Sequence, residues 1–149
     1  MNSFEIYMAS DHAGITLRRA LGEMLNEQGH IVHDLGPDNA ERVDYPDYGQ
    51  KLAMAMKPFR DVRGILICGS GIGISIAANR FTWVRCALCH DVTTARLSRQ
   101  HNDANVIAFG ERLIGVTTAM EALDAFLNTE FEGGRHAGRV EKLGHLTGE

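Results

Sequence analysis

Short apolar runs alternate with longer amphipathic segments along the whole chain. Glu5 to Ala9 reads as a strand, and the segment from about Gly14 to Gln28 places Leu17, Leu21, Met24 and Leu25 on one helical stripe, with Gly29 as its stop. A second strand is expected near Ile31 to Leu35. After a polar loop through Asp44, Pro46 opens a helix carrying Leu52, Met54 and Met56, which breaks at Pro58. Gly64 to Cys68 reads as the third strand. It runs through a glycine-rich turn into a helix from Ile74 to Arg80, followed by a strand from Val84 to Cys89. A helix capped by Asp91 extends to about Arg99, Val106 to Phe109 forms a fifth strand, and Thr117 to Phe131 forms a helix presenting Met120, Leu123, Phe126 and Leu127. A basic amphipathic tail from Arg135 to Leu146 closes the pattern.

Such alternation predicts an α/β domain in which a parallel sheet is covered by helices on both faces through right-handed crossovers. No linker, repeat or low-complexity stretch divides the 149 residues, so a single domain over 1–149 is expected. The formal net charge of −4 disfavours a nucleic-acid backbone or an anionic membrane as partner, and any anion must be held locally. No apolar run approaches the roughly 20 residues of a membrane span. The opening MNSFEIYMASDHAG has neither a basic stretch nor a long apolar one, and the expected location is the cytoplasm. In that reducing setting the three cysteines, Cys68, Cys86 and Cys89, leave at least one free thiol.

In a parallel sheet of this kind ligands bind beyond the carboxyl ends of the strands. Those positions here are Ser10-Asp11-His12, the turn Cys68-Gly69-Ser70-Gly71-Ile72-Gly73, His90-Asp91 and Gly110-Glu111-Arg112. Closely spaced glycines let backbone N–H groups converge on an anionic oxygen, although glycines also make any tight strand-to-helix turn. A dinucleotide fingerprint fails because its third glycine arrives one residue early, at Gly73, and the Walker pattern fails for want of Gly-Lys-Ser/Thr. A cysteine phosphatase loop would need arginine where Ile74 stands. Cys68 at the mouth of this turn is placed for a lowered thiol pKa and a role as base; the bland alternative is a small hydrophobe ending a strand.

Cys86-Ala87-Leu88-Cys89-His90 matches the spacing of covalent haem attachment, yet it occupies an apolar strand, where residues three apart point to opposite faces. Core packing is the better reading. Asp11-His12 caps the next helix or joins Cys68 at one sheet edge. Arg135 and Arg139, four apart, form a solvated face or clamp one phosphate. His101-Asn102 precedes the fifth strand and so belongs at the opposite edge from Cys68: the pair is a turn, or it serves a second subunit.

Together SDHAG, DYPDYG, CGSGIGISIAANR, HNDANVIAFGER and GGRHAGRV closely resemble, in order and over nearly the whole chain, the type B ribose-5-phosphate isomerase family, with its allose- and galactose-phosphate relatives. The resemblance implies a three-layer α/β/α sandwich with a five-stranded parallel sheet, Rossmann-like, with a C-terminal helical tail. It also implies a homodimer or a dimer of dimers, a phosphorylated sugar as substrate, and no metal or organic cofactor. Position by position it makes Cys68 the base moving a proton between C2 and C1, Gly69, Ser70, Gly71, Ile72 and Gly73 the holder of the enediolate oxygen, and Ser70 an aid to proton movement between oxygens. His101 becomes the acid that opens the furanose ring and Asn102 a contact to substrate. Asp11 binds sugar hydroxyls, Tyr45 contacts the sugar, and His12, Arg112, Arg135 and Arg139 surround the phosphate. Some relatives place a glutamate base directly after the loop; Ile74 there supports the cysteine branch. Family dimers carry the His-Asn pair across the interface. The expected activity is interconversion of ribose 5-phosphate and ribulose 5-phosphate, with an isomerase of another four- to six-carbon sugar phosphate, or a non-catalytic sugar-phosphate sensor, as the alternatives.

Overall fold

The computed structural model of the protein describes residues 2–145. Five parallel strands, β1 (Glu5–Ser10), β2 (Ile31–Asp34), β3 (Arg63–Cys68), β4 (Cys86–Leu88) and β5 (Val106–Gly110), form one sheet in the order β2-β1-β3-β5-β4. Six helices connect and flank them: α1 (Ile15–Glu27), α2 (Tyr45–Met56), α3 (Ile72–Ala78), α4 (Val92–Asn102), α5 (Val116–Asn128) and α6 (Ala137–Leu143). Single 3-10 turns at His12–Gly14 and Gly134–His136 lead into α1 and α6.

Alternation along each strand sorts the core into two halves. Ile6, Met8, Ile65, Ile67, Ile107 and Phe109 face α1, α4 and α5, where Leu21, Leu25, Ala95, Leu123 and Phe126 are fully buried. Tyr7, Ala9, Leu66, Cys68 and Ala108 face the other way, against Leu52, Ala53 and Met56 of α2 and Ile74 and Ala78 of α3. Three layers result, as expected. Burying each large aliphatic chain contributes about 1.5–3 kcal/mol, so both helical layers are needed to hold a sheet whose central strands are apolar on both faces.

Several boundaries depart from the local pattern, each for a tertiary reason. β4 has three residues rather than six, because the Arg85 N–H donates to Asn105 Oδ1 and the Arg85 carbonyl accepts from Asn105 and Val106, turning the chain before the ladder begins. α5 stops at Asn128, short of Phe131, since Thr129 is extended and its carbonyl accepts from Arg99 Nε. α3 starts two residues early, directly after Gly71, and α4 continues to Asn102 before Asp103 turns left-handed at φ 46°. On α2, Leu52 and Met56 are buried, but Met54 lies two positions out of phase and is exposed. The expected tail helix is a 3-10 turn plus the short α6, and Leu146 lies outside the described residues. Among the described residues no helix is long and apolar enough to cross a membrane.

Candidate active site

The first crossover carries the chain from β1 to one side and the second brings β3 back to the other, so strand direction of travel reverses between β1 and β3. A crevice opens at such a switch point beyond the carboxyl ends. Here β1 ends in Ser10 and Asp11 and β3 ends in Cys68. The Asp11 N–H donates to the Ile67 carbonyl at 3.1 Å, tying the two strand ends together, while the Asp11 carboxylate accepts from Ala13 N at 2.9 Å and caps the 3-10 turn. Asp11 therefore caps the 3-10 turn and stands at the same sheet edge as Cys68.

Cys68 is 4% exposed, and its sulfur accepts the Gly71 N–H at 3.1 Å. Gly71 adopts φ 76°, and a Cβ there would lie 2.6 Å from the Leu88 side chain and 2.8 Å from the Phe109 carbonyl carbon, so only glycine lets the loop fold down on the sheet. Ser70 Oγ accepts from Ile72 N at 3.2 Å. Tyr45, first residue of α2, lays its ring so close over the loop that a Cβ at Gly73 would meet Cε1 at 2.5 Å. From the far side, the Glu111 and Arg112 N–H groups donate to the Cys68 and Gly69 carbonyls, both at 3.0 Å, and the exposed Arg112 guanidinium lies against Gly69. His12 Nδ1 accepts the Val43 N–H at 3.1 Å, which leaves Nε2 as the proton-bearing nitrogen of the neutral ring. Asp11, His12, Tyr45, Cys68 to Gly73 and Arg112 thus gather at one edge of the sheet: a thiol, backbone N–H groups, a carboxylate and a cation around one loop.

Two supporting residues carried no recognisable sequence signal. Arg18 on α1 is 2% exposed, with Nη1 donating to Ser10 Oγ, Nη2 to the Pro37 carbonyl and Nε 3.0 Å from Asp34 Oδ1. In the sequence it is one more charge in an amphipathic helix. Buried and paired, it holds the ends of β1 and β2 beneath the crevice. Glu111 accepts the Leu17 N–H at 2.6 Å and so anchors the start of α1 to the loop after β5; only its place after a strand hinted at this.

His101, Asn102, Arg135 and Arg139 are elsewhere. Val106 pairs with Gly64 at the start of β3, whereas Cys68 pairs with Gly110 at its end, and α4 delivers His101 and Asn102 just before Val106. They sit at the amino-terminal edge. There the His101 and His136 rings stack with centroids 4.5 Å apart and planes 16° apart, Arg135 in the 3-10 turn and Arg139 in α6 are exposed, and Asn102 lines a cavity of about 470 Å³ with Asn79, Phe81, Val84 and Leu143. The predicted site residues thus fall into two groups, here called half-sites, at opposite ends of the sheet.

Comparison with known proteins gives these half-sites a family. The ribose/galactose isomerase family model matches residues 6–143. Ribose-5-phosphate isomerase B of Escherichia coli (strain K12) is 45% identical over 139 residues, 93% of either chain. D-erythrulose-4-phosphate isomerase of Pectobacterium atrosepticum is 43% identical over 141 residues, 94% of this chain and 93% of that one. The crystal structure of ribose-5-phosphate isomerase B from Mycoplasma genitalium with bound ribulose-5-phosphate superposes with a TM-score of 0.93 at 39% identity, covering 97% of both chains. A match running from β1 to α6, through both half-sites and at this identity, leaves no room for a merely sugar-binding reading: the chain belongs to the ribose/galactose isomerase family and is a sugar phosphate isomerase.

Proposed function

We propose that the protein interconverts D-ribose 5-phosphate and D-ribulose 5-phosphate through a cis-enediol(ate), with Cys68 as the base. The observation that carries this reading is the Cys68 sulfur held at the switch point under the Gly71 N–H, at the mouth of a glycine loop that leads into the start of α3. In the open-chain aldose the thiolate takes the C2 proton, the C–H electrons form the C1–C2 double bond, and the carbonyl electrons pass to O1. Loop N–H groups from Gly69 to Gly73 stabilise that oxygen as charge develops, which is where preorganised donors contribute most. Ser70 assists transfer of the O2 proton to O1, and the Cys68 thiol returns its proton to C1. Asp11 and Tyr45 hold the sugar, and His12 and Arg112 hold the phosphate from this edge.

The other half-site completes the reaction from a second copy of the chain: His101 protonates the ring oxygen on opening, Asn102 contacts the substrate, and Arg135 and Arg139 clamp the phosphate. Cys68→Ala is expected to abolish isomerisation and solvent exchange of the C2 proton while leaving affinity for the sugar phosphate within several-fold, because the base acts in the transition state. Near-normal turnover of that variant would remove Cys68 from the chemistry. The relatives also include a four-carbon isomerase, so a coupled assay across four-, five- and six-carbon aldose phosphates ranks chain lengths; kcat/KM highest for a substrate other than ribose 5-phosphate would reassign the substrate while keeping the machinery.

A further inference from the structure

We propose that His101, Glu132 and His136 form a binding site for a zinc-like divalent cation at the amino-terminal edge of the sheet. Among the described residues this is the one group of three histidine, cysteine or carboxylate side chains whose ligand atoms all lie within 4.8 Å of one another. Glu132 Oε1 is 3.8 Å from Nε2 of His101 and 3.8 Å from Nε2 of His136. Those separations are too long for hydrogen bonds. They are close to a metal's: a tetrahedral ion with bonds of about 2.0–2.2 Å spaces its ligands by roughly 3.4 Å. Two edges of the triangle are near that value, and the third closes by about 1.4 Å at most once the two stacked rings turn their nitrogen edges toward Glu132.

The surrounding backbone holds them there. The Glu132 N–H donates to the Gln100 carbonyl at 3.1 Å, binding the segment to the end of α4, and the His136 N–H donates to the Gly133 carbonyl at 2.9 Å. Two imidazoles and one carboxylate suit zinc, cobalt, nickel or copper, and are too poor in oxygen for magnesium or calcium. Arg135 and Arg139 beside the site favour an anion in the fourth position.

The cation site stands on this geometry alone; its consequence rests on the reading of His101 as the ring-opening acid. A metal on Nε2 takes the lone pair that carries the proton, so occupancy inhibits the isomerase. The test uses full-length Cys68→Ala protein, in which that thiol does not compete, titrated with zinc chloride by calorimetry and with cobalt by its visible d–d bands. One ion per chain is expected, with affinity falling by more than about tenfold when either Glu132→Gln or His136→Gln is added. Glu132 is exposed, so its variant keeps the test valid should the buried His136 variant fail to fold, as circular dichroism would report. Less than one zinc per chain at saturation, or unchanged affinity in a folded Glu132→Gln variant, overturns the site. If zinc binds one-to-one and wild-type turnover of ribose 5-phosphate is unaffected, the site is upheld and the catalytic role of His101 fails instead.

Discussion

Burial treats the three cysteines differently. It pushes the Cys86 thiol far up and the Cys89 thiol up to about 11, while their sulfurs belong to opposite faces of the sheet, so both are inert packing groups. Cys68 is buried as well, but it stands at the carboxyl end of β3, where its sulfur receives the Gly71 N–H at the mouth of the glycine turn. The same scale decides the arginines. Arg18 is fixed by three partners beneath the crevice, whereas Arg135 and Arg139 are exposed and free to meet a phosphate. Replacing either Arg135 or Arg139 with alanine is expected to raise KM for the sugar phosphate roughly ten- to hundredfold, the equivalent of about 1.5–3 kcal/mol for a charge-assisted contact. Inorganic phosphate should compete with substrate in the wild type and much less in the variants. Normal KM in both single variants would return this segment to a solvated face.

Elements here begin and end where side chains from elsewhere claim their backbone. Asn105 shortens β4, Arg99 draws Thr129 out of α5, and His30 closes the turn between α1 and β2 by accepting the Phe4 N–H on Nδ1 at 3.0 Å. That bond requires an unprotonated Nδ1. Burial holds the His30 pKa below its ordinary value of 6.5, so the unfolded chain takes up a proton more readily than the folded one as pH falls. Stability contributed by His30 is therefore complete above the ordinary value and is lost as pH drops through the lower folded one. His30→Asn offers an amide oxygen in place of Nδ1 and does not titrate. The variant's loss of Tm between about pH 7.5 and about pH 5.5 should be smaller than the wild type's; an identical loss would show that His30 does not contribute to the acid limb.

At the level of the molecule, the sheet separates the two half-sites. β3 has six residues, and a strand of that length spans roughly 17–20 Å, far beyond the approximately 2.6–3.2 Å needed for direct proton transfer between His101 and substrate held at Cys68. On the proposed reading a two-fold partner closes the gap, since an isologous interface would give each copy what the other lacks. Co-refolded Cys68→Ala and His101→Ala chains should then form heterodimers with one doubly crippled site and one intact site, restoring up to about half the wild-type activity per heterodimer. Mass spectrometry would verify the exchange. Verified heterodimers without activity would place His101 in its own subunit's chemistry or outside it.

The alternation of apolar runs and amphipathic stripes specified the α/β class, the five strands and most helix faces from the sequence alone, because side-chain periodicity is a local consequence of backbone geometry. The glycine loop after Cys68 and the placement of His101 before β5 were legible for the same reason: chain direction in a parallel sheet tells which residues share an edge. Only the tertiary structure decided the order β2-β1-β3-β5-β4, and with it the neighbourhood of Asp11 and Cys68 across the switch point. It also decided the burial of Arg18, the early ends of β4 and α5, and the meeting of His101 with Glu132 and His136. Each of these depends on groups far apart in the chain, and local periodicity carries no record of which distant backbone or side-chain group will supply the partner.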